Sequence, residues 1–246
     1  MSTDRSVSEL SIAADGAWLD ARLLHAPDDC GLVIIARAAA GCLAGSEEGE
    51  VVAALREAGL ASLTLDLLTQ REEARDPDVR FNVPMLTHRL LAIREWIAHQ
   101  PRLSWLAVGV HGSDTASAVA IRGAWKEPER FAAVVCRGGR PDLAGATPLT
   151  GLRVPARFIA GSAASDPTGF RAAFERVGGE RDWQALSGAD HEITAGEALN
   201  RAAALAAAWF TLHLPPPDPQ RSQRENEAAR APTQPRDGWF PGIDPR

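Results

Sequence analysis

The sequence predicts an α/β protein with a mostly parallel sheet covered by helices on both faces. Three observations predict it. Short continuous apolar runs, such as Gly31-Leu-Val-Ile-Ile-Ala36, read as strands buried on both faces. Segments of helical period fall between those runs. The chain also opens on two runs, 8–13 and 17–25, that flank Asp15-Gly16, a hairpin signal.

The elements follow in order. After the hairpin and the strand at 31–36, residues 46–59 read as a helix with Ser46 as N-cap and Glu47 and Glu48 in its first turn. Val51, Val52, Leu55 and Ala58 line one face, and Gly59 ends it. A strand is expected over 61–67. Pro84 opens an amphipathic helix over 84–99, with Leu86, Leu90, Ile93 and Ile97 on one side. A strand is expected over 105–110, a helix over 115–125, and strands over 131–136 and 154–160. A helix over 168–177, a short strand over 182–186 and a long alanine-rich helix over 195–213 complete the domain, 1–214. From Pro215 onward a proline-rich start and polar, aperiodic residues read as a disordered tail, 215–246. Its apolar end, Trp239-Phe240-Pro241-Gly242-Ile243, is a candidate contact for a protein partner or a second subunit.

Composition narrows the function. The 246 residues carry a net charge of −6, which argues against general nucleic-acid binding. No apolar run approaches the roughly 18–20 residues of a membrane span, and the first ten residues lack a secretory apolar core. Cys30, Cys42 and Cys136 are widely spaced and form neither a disulfide framework nor a metal-ligand pattern. The expected setting is the cytoplasm, and the expected partner is a small-molecule substrate or ligand. No metal or other cofactor is expected, since His111 and Asp114 are two ligand types without a third.

Ligands of parallel sheets bind beyond the carboxyl ends of the strands. There the chain reads His111-Gly-Ser-Asp-Thr-Ala-Ser117 and then enters a helix. A strand, a tight turn of small residues and a helix form the context of a nucleophile elbow. The turn needs small residues two before and two after its apex. Gly112 and Ala116 meet that need about Asp114, whereas Ser113 would place His111 and Thr115 there.

Four stretches carry a resemblance. They are Gly59-Leu-Ala-Ser-Leu-Thr-Leu-Asp66-Leu-Leu-Thr69, Arg80-Phe-Asn-Val-Pro84-Met-Leu, Val135-Cys-Arg137-Gly-Gly-Arg140-Pro-Asp142-Leu-Ala-Gly145 and Gly188-Ala-Asp190-His191. Over about residues 8–214 the chain resembles the dienelactone-hydrolase-like branch of the α/β-hydrolase fold, small bacterial hydrolases sometimes fused to phosphoribosyltransferase domains. The resemblance implies a catalytic order of nucleophile, acid and histidine, which falls on Asp114, Asp166 and His191. It places the oxyanion loop on Arg37-Ala38-Ala39-Ala40-Gly41, where the family has His-Gly and small residues, with Arg37, Ala38 and Thr115 about the substrate. It implies no full cap domain.

An aspartate at the apex changes the chemistry. Attack on an ester would give a mixed anhydride that the departing alkoxide reverses. A carboxylate suits displacement at saturated carbon, leaving an alkyl ester that His191-activated water hydrolyses. This resembles the logic of haloalkane dehalogenases and epoxide hydrolases of the same fold; the latter use cap-domain tyrosines, and this chain has no tyrosine. The other reading is a hydrolase fold that has lost catalysis and serves binding or assembly. In that reading Asp114 is a helix N-cap neutralised by Arg37. Cys136 reads as a core thiol, Asp190 as a turn residue, and Arg137 and Arg140 as holding the loop that follows or gripping an anion.

Overall fold

The computed structural model describes residues 6–41, 46–162 and 169–217. Eight strands form one sheet in the order β1-β2-β4-β3-β5-β6-β7-β8. The hairpin β1 (Ser6–Ala14) and β2 (Ala17–His25) is antiparallel, and β2 meets β4 antiparallel. The remaining strands are parallel: β3 (Leu32–Arg37), β4 (Ala61–Asp66), β5 (Val108–Ser113), β6 (Ala133–Arg137), β7 (Ala156–Gly161) and β8 (Arg181–Leu186). Asp15 and Gly16 close the hairpin with φ of 47° and 76°, the two positive values of a type I′ turn.

Helices cover both faces, as the sequence predicts. On one face α3 (Val83–Ala98) buries Leu86, Leu90, Ile93 and Ile97 beside α4 (Thr115–Lys126). On the other, α1 (Ser46–Glu57) and α7 (Gly196–His213) bury Val51, Leu55, Ala206 and Phe210 against Val33, Ile35 and Val135. Gly109 makes room for Phe210, whose ring lies 2.5 Å from where a Cβ would stand. Gly59, at φ 73°, ends α1, and the Leu60 N–H closes back on the Leu55 carbonyl at 2.9 Å.

Four elements differ from the sequence reading. The strand expected at 105–110 runs Val108–Ser113 instead, because its register is set by β3 (Leu32 opposite Val108) and β6 (Ser113 opposite Arg137). Trp105 and Leu106 are buried in the turn that precedes it. His111 is therefore inside the strand rather than at its end. Between β4 and α3 the chain forms α2 (Gln70–Arg75) and a 3-10 turn, Pro77–Phe81. A capping box starts α2: Thr69 Oγ1 accepts from Glu72 N–H, and the Glu72 carboxylate accepts from Thr69 N–H at 2.9 Å. A short α5 (Ala146–Gly151) precedes β7, and α6 (Phe170–Arg176) precedes β8. The Ser46 side chain, Cys42 and tail residues 218–246, with Trp239–Ile243, lie outside the described residues.

Candidate active site

Asp114 is the single residue between β5 and α4. Its φ of 48° and ψ of −131° lie outside both the right- and left-handed helical wells. Such a conformation costs of order 1–3 kcal/mol and persists only where its surroundings enforce it. Here backbone crowding enforces it. A Cβ on Gly112 would stand 2.4 Å from the Ala116 carbonyl oxygen, so only glycine lets strand and helix pass. Ser117 Oγ, 3.0 Å from Gly112 O and 3.2 Å from Gly138 O, ties the turn to β6.

The Asp114 side chain makes no cap hydrogen bond to α4 and no ion pair with any described residue. It is exposed in a cavity of about 250 Å³, shared with Arg37, Ala38, Ala39, Arg80, Ser113, Arg137, Glu192 and Thr194. Asp114 thus stands at the N-cap position of α4 without capping it through its side chain, and it does not pair with Arg37. Arg37 is directed to Glu48 of α1, with Asp66 at 3.9 Å. Thr115 is fully buried behind the apex, and its Oγ1 has no hydrogen-bond partner among the described residues. Ala38 and Ala39, in the loop expected to hold an oxyanion, have no positive φ; the turn is taken at Gly41, at 72°.

The Arg-Gly-Gly stretch explains itself at this point. Gly138 and Gly139 have φ of 57° and 82°. A Cβ on Gly138 would fall 2.2 Å from His191 O, and one on Gly139 would fall 2.2 Å from Asp114 Cα. Neighbouring Cα atoms are about 3.8 Å apart. The two glycines therefore bring the elbow and the His191 loop to adjacent points of one backbone. Gly139→Ala is expected to cost about 2–3 kcal/mol of unfolding free energy, read from a denaturant titration. A cost under about 0.5 kcal/mol would contradict this packing.

The His191 loop is clamped from both sides. Ile193 holds φ 55°, unusual for a buried β-branched residue. Its N–H donates to Asp190 Oδ1 at 2.6 Å, and its carbonyl accepts from Arg137 Nη1 at 2.9 Å. Asp190 follows the turn at 187–188 and ties the loop through that bond to Ile193. The His191 ring is exposed, with Nε2 3.5 Å from Glu192 Oε1. Glu192 and Thr194 line the cavity, whereas His191 does not. Asp166 lies outside the described residues.

Known proteins share this fold. A crystal structure of a dienelactone hydrolase from Anabaena variabilis matches at TM-score 0.79 and 30% identity, covering 85% of this chain and 99% of its own. The chain belongs to the dienelactone hydrolase family. Est1E from Butyrivibrio proteoclasticus, at 14% identity and TM-score 0.65 over 83% of this chain and 97% of its own, shares the fold. Proteins from two Mycobacterium tuberculosis strains, named provisionally as phosphoribosyl transferases, are 33% identical over 190 residues, 77% of this chain. The chain spans 42% of their length. No protein-family model matches the chain.

In this dienelactone hydrolase family member the site rests on a buried charge network that sequence reasoning missed. Glu48 lies between two guanidiniums: Arg37 on one side and Arg137, with Nη2 at 3.8 Å, on the other. Arg137 is the largest fully buried side chain among the described residues. In sequence Glu48 reads only as a first-turn acid. Beside Arg137, burial followed by that guanidinium's charge holds the His111 imidazole down to about 3. Burial pushes the Cys136 thiol up to about 12, consistent with an inert core thiol. Arg140 forks onto Asp142 at 2.9 and 2.8 Å, holding its own loop. Among the described residues no group of three or more His, Cys, Asp and Glu is placed to hold a metal ion, and no helix is long and apolar enough to cross a membrane.

Proposed function

We propose that the protein is a hydrolase of small, anionic, carbon–halogen substrates, with the Asp114 carboxylate as nucleophile. The observation that carries this reading is Asp114 itself, held at a strained apex, open to the cavity, and spent on neither a cap nor an ion pair among the described residues. A carboxylate oxygen of Asp114 attacks the saturated carbon, and halide leaves with the bonding pair. An alkyl ester remains on Asp114. His191, from the loop abutting Gly138, takes a proton from water as that water attacks the ester carbonyl. The alcohol then departs with the oxygen Asp114 supplied, and the carboxylate returns carrying an oxygen from water.

Arg80 favours an anionic substrate. Arg37 and Arg137 already face Glu48. Arg80 reaches the same cavity from the 3-10 turn and has no carboxylate partner among the described residues, its Nε donating only to Pro77 O at 3.3 Å. A guanidinium in that state suits a haloacid carboxylate.

The test is a single turnover of a haloacid in 18O-labelled water. Label is expected in the peptide that holds Asp114 and not in the alcohol of that first turnover. His191→Ala is expected to trap the ester as a mass increase on that peptide. Label passing directly into the product would overturn the carboxylate nucleophile. A second reading, a hydrolase fold repurposed for binding, is favoured by the His191 ring facing solvent beside Glu192. It predicts haloacid binding without halide release.

A further inference from the structure

A second cavity lies at the opposite end of the sheet from Asp114. It measures about 520 Å³ and sits between the β1–β2 hairpin and the C-terminal end of α3. His25 is the last residue of β2, which runs antiparallel to β4, so it stands near the strand's amino end. That volume falls within the range of small-molecule sites.

Its lining has a consistent chemistry. Leu10, Leu23, Leu103 and the half-buried Trp96 give it an apolar body. Ser6, Ser8, Leu23 and His25 fall on one face of the hairpin, because Ser6 pairs with His25 and Ser8 with Leu23. His25 is buried, and its Nδ1 is 3.3 Å from Asp29 Oδ2, a carboxylate fixed in turn by the Ala26 N–H at 2.6 Å. With Nδ1 beside Asp29, Nε2 is the ring's remaining polar atom. At the mouth stands Arg102, exposed and without an acid partner among the described residues. An unmatched cation beside apolar surface is notable in a chain of net charge −6.

We propose that this cavity binds a small aromatic carboxylate. The ring lies on Trp96 and the leucines, the carboxylate meets Arg102, and His25 Nε2 supplies the second polar contact. Aromatic stacking on Trp96 and a charge-assisted bond at Arg102 are the two terms that select this class. The site is independent of the elbow and of the reaction proposed there.

Calorimetric titration of the full chain with phenylacetate tests it, with benzyl alcohol as the neutral analogue. Saturable one-to-one binding is expected, weakened about tenfold by Arg102→Gln and similarly for the alcohol. Arg80→Gln, in the elbow cavity, is expected to leave it unchanged. Three results would each overturn the proposal. One is no saturable heat up to about 10 mM ligand. Another is equal affinity for acid and alcohol with no effect of Arg102→Gln, which means a merely apolar patch. The third is binding lost in Arg80→Gln, which places the ligand in the elbow cavity.

Discussion

Glu48→Ala is expected to lower the unfolding free energy by about 3–5 kcal/mol, the usual loss when one partner leaves a buried ion network. Glu48 is 3% exposed and is the carboxylate that faces both Arg37 and Arg137. Alanine would leave two guanidiniums confronting one another under the cavity floor. Arg37 would still have Asp66, but only at 3.9 Å. Arg137 would keep the Ile193 carbonyl and lose a charge partner. The measurement is a urea titration of both proteins. Glu48→Gln should lose less, since its amide oxygen still accepts a hydrogen bond. A loss below about 1 kcal/mol for alanine would mean that the network adds little to the fold.

The second large effect is set by pH. His111 is fully buried, with neither ring nitrogen hydrogen-bonded among the described residues, and the fold holds its ionisation near 3. In the unfolded chain an ordinary histidine ionises near 6.5. Between those values the unfolded state binds a proton that the native state refuses. Stability from this residue is therefore complete above about 6.5 and falls as the pH drops toward 3. From pH 7 to pH 5 the loss is about 2 kcal/mol. That window lies above Glu72, whose carboxyl the Arg89 guanidinium holds down to about 2 and which weakens the fold only on further acidification. His111→Leu is expected to flatten the profile between pH 7 and 5. An unchanged slope in that variant would assign the acid sensitivity elsewhere.

Much of this was legible in the chain. Asp15-Gly16, the continuous apolar runs and the leucine–isoleucine face of α3 were enough for the architecture, because each is a local signal tied to a period or a turn. The elbow was legible for the same reason: Gly112 and Ala116 mark a close backbone approach about Asp114. The start of β5 was not. Trp105 and Leu106 are as apolar as strand residues, and only pairing with β3 and β6 reveals that the strand begins at Val108. The capping box at Thr69 and Glu72 was present in the letters, yet it starts a helix of six residues without a buried face, so no periodicity drew attention to it. Contacts between distant charges were the least legible. Arg37 had several acids within reach of speculation, and Asp114 was the nearest by motif. The fold instead brings up Glu48, from the first turn of α1. Where the His191 ring points is likewise a matter of loop geometry, decided by Asp190, Arg137 and the left-handed Ile193.

The contacts at Gly112 and Gly139 have a consequence for inheritance. Both are made to main-chain atoms, at Ala116 and at Asp114 itself, and neither involves the side chain at the apex. The posture of position 114 is thus guaranteed by its neighbours, whatever residue occupies it. Architecture and reactivity are separable in such a design. A lineage can exchange the reactive group, and with it the bond that is broken, while the scaffold registers almost no change.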